Sequence, residues 1–317
     1  MTTIVVGAGL AGLTCAAMLV AAGHDVLVID KARSVGGRLA TRRIGDATFD
    51  HGAQFFTTRS PEFTEAVERW TTSGLVTTWS NGFDDPPDGH PRYAVRGGMT
   101  ALAKHLATGV PVRCAAMAFS LQIEGGRWRV VLDDASALSA DALVLTCPVP
   151  QSYSLVIATG IELPPTLLRG EYDRTIALLA RLDRSVDIGT AGALQNAHPV
   201  FSMIADNQSK GVSVTPAVTF HANPDWSLEH WDHPHRTTHK LLVDEAEQTL
   251  RGGQVVDSQV KRWRFATPRS IWPERCLVAS AEPMLVLAGD AFGGPKVEGA
   301  YLSGRAAAAA IMSSSAS

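Results

Sequence analysis

Residues 3–30 limit what this chain can fold into more than any other stretch. Ile4, Val5 and Val6 form a short β-branched run of the kind that fills a strand buried on both faces. Gly7, Gly9 and Gly12 follow in G-x-G-x-x-G spacing. The first glycine turns the chain, the second lets a pyrophosphate approach the backbone, and the third lets helix pack on strand. Residues 10–22 read as an apolar, alanine-rich helix whose free first amides, at Leu10 and Ala11, face the phosphates. Gly23 sits where such a helix stops, residues 26–29 are a second strand, and Asp30 ends it. A carboxylate there accepts both hydroxyls of an adenosine ribose. A lone glycine triplet is weak, but strand, glycines, helix, strand and acid in this order predict a dinucleotide-binding βαβ unit.

The 317 residues leave room for one large or two modest domains. With 28 Lys+Arg against 31 Asp+Glu, the net charge of −3 points to neither nucleic acid nor an anionic membrane as partner, and no obligate protein partner is evident. No apolar run reaches the ~18 residues of a membrane span. The chain enters the βαβ unit without a basic region or cleavage site, which argues against a signal peptide. Cys15, Cys114, Cys147 and Cys276 are far apart, with no C-x-x-C, so buried free thiols in a reducing cytoplasm are expected. Residues 313–317 read as a frayed tail.

After Asp30, Lys31 opens a loop with Gly36, Gly37 and Arg38. It either lies against a dinucleotide with Arg38 countering phosphate charge, or is a flexible turn. In residues 49–56, Gly52 and Ala53 are small enough for backbone to run beside a flat ring, and Gln54 offers a donor and an acceptor; read alone, the segment is also an ordinary strand edge. Ser60-Pro61 opens a helix with Phe63, Val67 and Trp70 on one face, closed by Gly74. Residues 81–91 are a loop, and a helix follows over 100–107. Strands are expected at 110–114, 116–123 and 128–132, the last two joined by the Gly125-Gly126 turn. A buried strand at 142–147 stops at Pro148.

Beyond residue 151 the pattern changes. Alternation at 176–182 and 212–221 predicts a mostly antiparallel sheet. A helix from Pro234 carries Leu241, Leu242, Ala246 and Leu250, and a strand covers 262–268. Residues 284–288 are again a buried strand, followed by Gly289-Asp290, a second glycine-rich loop through Ala300 and an alanine-rich helix over 301–311. The chain thus leaves the nucleotide domain and returns to it. Residues 1–60, 92–150 and 270–317 are assigned to a discontinuous dinucleotide-binding domain, and 61–91 and 151–269 to an inserted substrate domain.

With both glycine-rich ends in view, the chain resembles flavoproteins of the amine-oxidase superfamily, and more closely the bacterial renalases. The resemblance rests on Val6-Gly-Ala-Gly-Leu-Ala-Gly12, Gly36-Gly-Arg38, Asp50-His-Gly-Ala-Gln-Phe-Phe-Thr57 and Thr146-Cys-Pro-Val-Pro-Gln151. It continues through His221 with Trp226-Ser227, Trp263-Arg-Phe-Ala266, and Gly289-Asp290 to Val297-Glu-Gly-Ala-Tyr-Leu-Ser-Gly304. It implies an α/β fold: a Rossmann-like FAD-binding domain, glutathione-reductase-like and of the p-hydroxybenzoate-hydroxylase type, with an inserted α+β substrate domain whose antiparallel sheet roofs the flavin. It also implies non-covalent FAD, a dihydronicotinamide dinucleotide substrate in its 1,2- or 1,6-dihydro form, oxidation to NAD(P)+, and dioxygen as the oxidant, giving hydrogen peroxide.

The same resemblance places the adenosine ribose on Asp30, the pyrophosphate near Gly9, Leu10, Ala11 and Arg38, and the ribityl region on Asp290. Adenine falls to the backbone of Met117, and the flavin pyrimidine edge to the amides of Glu298, Gly299 and Ala300. The candidate cofactor-binding residues are therefore Gly7, Gly9, Leu10, Ala11, Gly12, Asp30, Lys31, Gly37, Arg38, Gln54, Met117, Asp290, Lys296, Val297, Glu298, Gly299 and Ala300. The candidate catalytic residues are Gln54, Phe56, His221, Trp263 and Phe265. Each of these has a structural alternative: Gln54 and Phe56 as packing under the domain junction, His221 as a satisfied core histidine, Trp263 and Phe265 as core. Lys296 either stabilises an anionic reduced flavin or is a solvated loop lysine.

His230, His233, His235 and His239 straddle Pro234, and no cysteine or acid completes a tetrahedral set, so no metal is expected. No cysteine lies between Gly293 and Ser303, against a cysteinyl–flavin link, and no second glycine triplet marks a separate NADPH domain. The reading is hydride transfer to flavin N5 without a general base. Its competitors are an amine oxidase or desaturase of the same superfamily, and a flavin-binding sensor without turnover.

Overall fold

Val5 sits at the centre of a parallel sheet, level with Val28 on one neighbouring strand and Val144 on the other. The computed structural model describes residues 1–84, 86–189, 191–250 and 252–314. They form two compact units, residues 1–38, 102–171 and 268–317, and residues 39–101 and 172–267. In the first unit the strands run in the order Leu277–Ala281, Met284–Leu287, Ala142–Leu145, Thr2–Val6, Asp25–Ile29, Val112–Arg113. All pair in parallel except the antiparallel edge strand Leu277–Ala281. Ile4, Val5, Leu143, Val144, Leu285 and Val286 are buried to 1% exposure or less, so both faces of this sheet are covered and the strands read as continuous apolar runs.

The first helix, Leu10–Ala21, packs along the last, Lys296–Ser314. A Cβ on Gly304 would lie 2.2 Å from Ala11 O, so the small residues of both helices serve close approach. The last helix begins at Lys296, earlier than the 301–311 expected. Gly299, expected at the end of a loop, is a helical residue, and a Cβ on it would sit 1.8 Å from Gly294 O. The helix also takes in Ser313 and Ser314 from the expected frayed tail, while residues 315–317 lie outside the described residues. A small antiparallel sheet of Ala118–Glu124, Arg127–Leu132 and Ala137–Ala140 completes this unit's strands.

The second unit is built on a five-stranded sheet in the order Ala193–Gln195, Phe201–Asp206, Ala217–Ala222, Tyr172–Leu182, Val255–Pro268. Ile176, Leu178, Ala180 and Leu182 point to one face, where Leu242 and Ala246 of the helix His235–Thr249 and its C-cap Leu250 pack on them. Leu179 and Ala217 point to the other, against Ile44, Ala47 and Phe49 of the hairpin Thr41–Ile44/Ala47–Asp50. Buried on both faces, Tyr172–Leu182 has a nearly unbroken apolar stretch. The strand expected over 212–221 starts only at Ala217, because Val212 N and Ser213 N both donate to Asn207 O and hold the preceding residues in a turn.

The compact units divide the chain at other points than the sequence assignment. Residues 39–60 and 92–101 cluster with the second unit, since Phe49 packs on its sheet, Arg92–Val95 pairs with Val76–Ser80, and Met99 N donates to Asp50. Residues 151–171 cluster with the first, where the helix Val149–Val156 packs on Ala118–Glu124. Asp85 in the expected loop over 81–91, and Thr190 and Arg251 in the expected substrate domain, lie outside the described residues. Among the described residues no helix is long and apolar enough to cross a membrane.

Candidate active site and cofactor cradle

The cradle is assembled in the first unit where the parallel strands end. Gly7 N donates to Ile29 O at 2.8 Å, closing the turn between the first two strands. A Cβ on Gly12 would lie 2.0 Å from Gly7 O, so only glycine allows the helix this close to the turn. A Cβ on Gly9, by contrast, would meet nothing within 4 Å, and that open space beside bare backbone is what a phosphate requires. Gly9 caps the helix without a side chain, and the first bond of the ladder runs from Leu13 N to Gly9 O. The amides of Leu10, Ala11 and Gly12 therefore precede the ladder as donors, with no acid in the first turn to compete for them.

Asp30 is fixed by two backbone donors, Ala8 N on Oδ2 at 2.6 Å and Ala32 N on Oδ1 at 2.7 Å. A carboxylate accepts about four hydrogen bonds, so lone pairs remain for ribose hydroxyls. Lys31 beside it is exposed. Gly36 N donates to Ala8 O at 2.8 Å, and a Cβ on Gly37 would stand 3.3 Å from Gly9 Cα, so this loop rests on the glycine turn. Arg38 then meets Asp290 fork to fork, Nη1 to Oδ2 and Nη2 to Oδ1, both at 2.6 Å. The pair draws Gly36-Gly-Arg38 and Gly289-Asp290 together from opposite ends of the sequence.

Lys296 is exposed with φ +73°, a left-handed conformation unusual for a residue with a side chain. Val297 and Gly299 behind it are buried, and Glu298 and Ala300 half-buried. Met117 donates its N–H to Asp133 Oδ1 at 3.2 Å and accepts from Asp133 N at 3.0 Å. What it offers a ligand is a 39% exposed side chain and one carbonyl lone pair. Open phosphate space, a fixed carboxylate and a forked Arg–Asp pair are groups that fit a dinucleotide cofactor.

In the second unit Gln54, His221 and Trp263 come together around the turn after Asp50. Gln54 Nε2 donates to Asp50 O at 2.6 Å and Gly52 O at 3.2 Å, while its Oε1 accepts from Lys210 Nζ at 3.0 Å. Both amide hydrogens being committed, the 3.4 Å approach of Gln54 Nε2 to His221 Nε2 is not a hydrogen bond from the amide. His221 Nε2 instead donates to His51 O at 3.2 Å, which sets its tautomer. Burial pushes the His221 imidazole down to about 4, and the Lys210 ammonium adds to that, so the ring is neutral at pH 7. Trp263 Nε1 donates to the same His51 carbonyl at 2.7 Å and its ring stacks on His51 with centroids 5.2 Å apart. Phe56 stacks on Tyr93 and Phe265 meets Tyr172 edge-on, so both are set in aromatic packing.

The network has members that no local sequence signal marks. Lys210 is fully buried, 3.0 Å from Asp50 Oδ2 and with its ammonium 5.3 Å from the Trp79 ring centroid. Burial pushes that ammonium below its usual range and Asp50 pulls it back. Asn207 Oδ1 accepts from Asp50 N, and its Nδ2 donates to Thr219 Oγ1, which donates to Asp50 O. Asp50 and His51 stood in a motif but carried no role; Lys210 lies in a polar turn whose sequence looks like any exposed loop.

The first unit's Rossmann-type sheet carries an open phosphate cradle of the kind found in dinucleotide-dependent oxidoreductases. Residues 5–70 match an NAD(P)-binding Rossmann-like domain, and residues 72–312 match the flavin containing amine oxidoreductase family. The chain belongs to that family, as a renalase-like member, and FAD is its cofactor. It is 24% identical to renalase of Mus musculus over 91% of this chain and 92% of that one. Cyclohexylamine oxidase from Brevibacterium oxydans shares the fold at TM-score 0.75 and 14% identity, with 98% of each chain covered. An oxidoreductase from Methanosarcina mazei does so at TM-score 0.64 and 15% identity, with 99% and 100% covered.

Proposed function

We propose that this FAD-dependent oxidoreductase is an oxidase of isomeric dihydronicotinamide dinucleotides, acting on the 1,2- and 1,6-dihydro forms of NAD(P). The observation that carries the reading is the end-to-end similarity to renalase, which spans both units. The character of the second unit's site supports it. Gln54 is committed to protein hydrogen bonds and His221, held near 4 by burial, is a weak base, while loss of hydride from a ring that then aromatises needs no base. The reaction balances as dihydronicotinamide, dioxygen and one proton giving nicotinamide cation and hydrogen peroxide. Bound FAD supplies the acceptor for the electron pair. In this reading Asp30, Arg38, Asp290 and the amides of Leu10, Ala11 and Gly12 hold FAD without a covalent bond. His221, Trp263 and Gln54 shape the ring site.

Amine oxidation is the second reading, favoured by the family description and by the likeness to cyclohexylamine oxidase. Stopped-flow bleaching of the flavin under anaerobic conditions separates the two. The 1,2- or 1,6-isomer is expected to reduce it at least ~100-fold faster than the 1,4-isomer, since a misplacement of about 1 Å can cost that much. Equal rates for all three, or bleaching only by a primary amine, would overturn the assignment.

A further inference from the structure

A cavity of about 510 Å³ opens in the second unit between the start of the helix His235–Thr249 and the strand Val255–Pro268. That is within the ~300–1,000 Å³ of small-molecule sites. Arg42, Arg236, Lys261, His235, His239 and Ser258 line it, and among the described residues no acidic one does. Among the described residues Arg42, Arg236 and Lys261 form no ion pair. Three cations converging without a counter-charge repel one another, and the repulsion registers in their surroundings. The Lys261 ammonium is held below its usual range by burial and then by Arg42. His51 is pushed down to about 4 by burial first and then by Lys261, His221 and Arg42.

The backbone adds to this positive field. His235 and Arg236 open their helix, which has no acid in its first turn and no side-chain cap at Pro234. Its first ladder bond is Thr238 N to Pro234 O, so the amides of His235, Arg236 and Thr237 precede the ladder at the positive end of the helix dipole. His239 is held in place by Ser258, Nε2 to Oγ at 2.8 Å. Lys261 lies two residues before Trp263 on one strand, so the two share a face about 7 Å apart. The basic cavity therefore adjoins the stacked Trp263–His51 surface.

We propose that this cavity binds the pyrophosphate of the dinucleotide substrate, with Arg42, Arg236 and Lys261 as its counter-charges. The inference rests on the dihydronicotinamide reading. Three cations and a helix end suit two adjacent phosphates, and a chain of net charge −3 does not suit nucleic acid. The enzyme then grips its substrate at two points, the flat ring near Trp263 and the pyrophosphate beside Lys261.

Calorimetric titration of the holoenzyme with NAD+, nicotinamide riboside and inorganic pyrophosphate tests this, comparing wild type with Arg236→Gln/Lys261→Gln. The NAD+ dissociation constant is expected to rise about 30-fold or more, as lost charge-assisted bonds predict, with the riboside unaffected. Inorganic pyrophosphate should compete with NAD+ in the wild type and not in the variant, and added salt should weaken only the phosphate-bearing ligands. Arg42→Gln, on a different element, gives an independent measurement should the double variant fail to fold. Equal NAD+ affinity in wild type and variants overturns the proposal, as does equal loss of riboside and NAD+. Pyrophosphate binding without any NAD+ binding overturns the dinucleotide assignment. Cavity-dependent NAD+ binding without flavin reduction by any isomer supports the cavity and sinks the oxidase reading instead.

Discussion

Lys210 holds its ammonium 3.0 Å from Asp50 Oδ2, and neither side chain has exposed surface. The pair joins the turn after the strand Phe201–Asp206 to the end of the hairpin that covers the sheet. Asp50 Oδ1 accepts from Thr41 Oγ1 at 2.6 Å and Met99 N at 2.7 Å, and Lys210 also bonds Gln54 Oε1 and O. The ion pair thus fixes the backbone that carries Gln54 and His51.

Removing one partner of such a pair leaves an uncompensated buried charge. Lys210→Met is expected to cost about 3–5 kcal/mol of stability in urea unfolding. Adding Asp50→Asn to it should recover part of the loss, because the amide still accepts from Thr41 and Met99 without the charge. A double variant no more stable than the single would show that the charge is not the cause.

Asp290 and Arg38 already satisfy each other, which keeps two loops of the cradle closed together. Asp290→Ala removes the carboxylate that holds the Arg38 fork. Apoprotein titrated with FAD, followed by flavin fluorescence, is expected to bind about 10- to 150-fold more weakly, the equivalent of ~1.5–3 kcal/mol for a bond to a charged group. Unchanged affinity would remove Asp290 from the cofactor site.

His51 and His221 both titrate near 4 in the fold, against 6.5 for a free histidine, chiefly through burial. Below pH 6.5 the unfolded chain therefore takes up protons that the folded chain refuses. The stability these histidines contribute is fully present above pH 6.5 and is lost as pH falls toward 4. Each adds a slope of up to about 1.4 kcal/mol per pH unit in that window. His221→Gln should flatten the pH dependence of unfolding free energy by one such increment, and an unaltered slope would mean His221 protonates freely in the fold.

The parts of this structure that sequence could reveal are those written locally. Gly7 to Asp30 form one continuous pattern in which each residue's neighbours are its structural neighbours, and the strand, turn, helix and second strand followed from it. Arg38 with Asp290 was legible as two separate motifs, though not as a pair, because nothing local states that they meet. Lys210 gave no signal: its burial depends on a turn held by Asn207 and on an acid at the end of a distant hairpin. The basic cavity was equally silent, with Arg42 on a hairpin, Arg236 on a helix and Lys261 on a strand. The start of the last helix was drawn too late from the pattern alone, since Gly299 looks like a loop glycine until its close packing on Gly294 O is known.

Trp263 does two things at His51, donating to its carbonyl and stacking on its ring, and two substitutions separate them. Trp263→Phe keeps an aromatic face and removes the N–H, leaving His221 as the remaining side-chain donor to His51 O. Losing one hydrogen bond to a neutral acceptor costs about 0.5–1.5 kcal/mol, so this variant should stay folded and flavin-loaded. Trp263→Leu also removes the flat surface that would hold the substrate ring. If that surface orients the ring, anaerobic flavin reduction by the proposed 1,2- or 1,6-dihydronicotinamide substrate should stay within about 10-fold of wild type in the phenylalanine variant. In the leucine variant it should fall on the order of 100-fold, as expected for a misplaced reacting pair. Equal rates in the two variants would show that Trp263 serves the fold through its N–H and takes no part in positioning the ring.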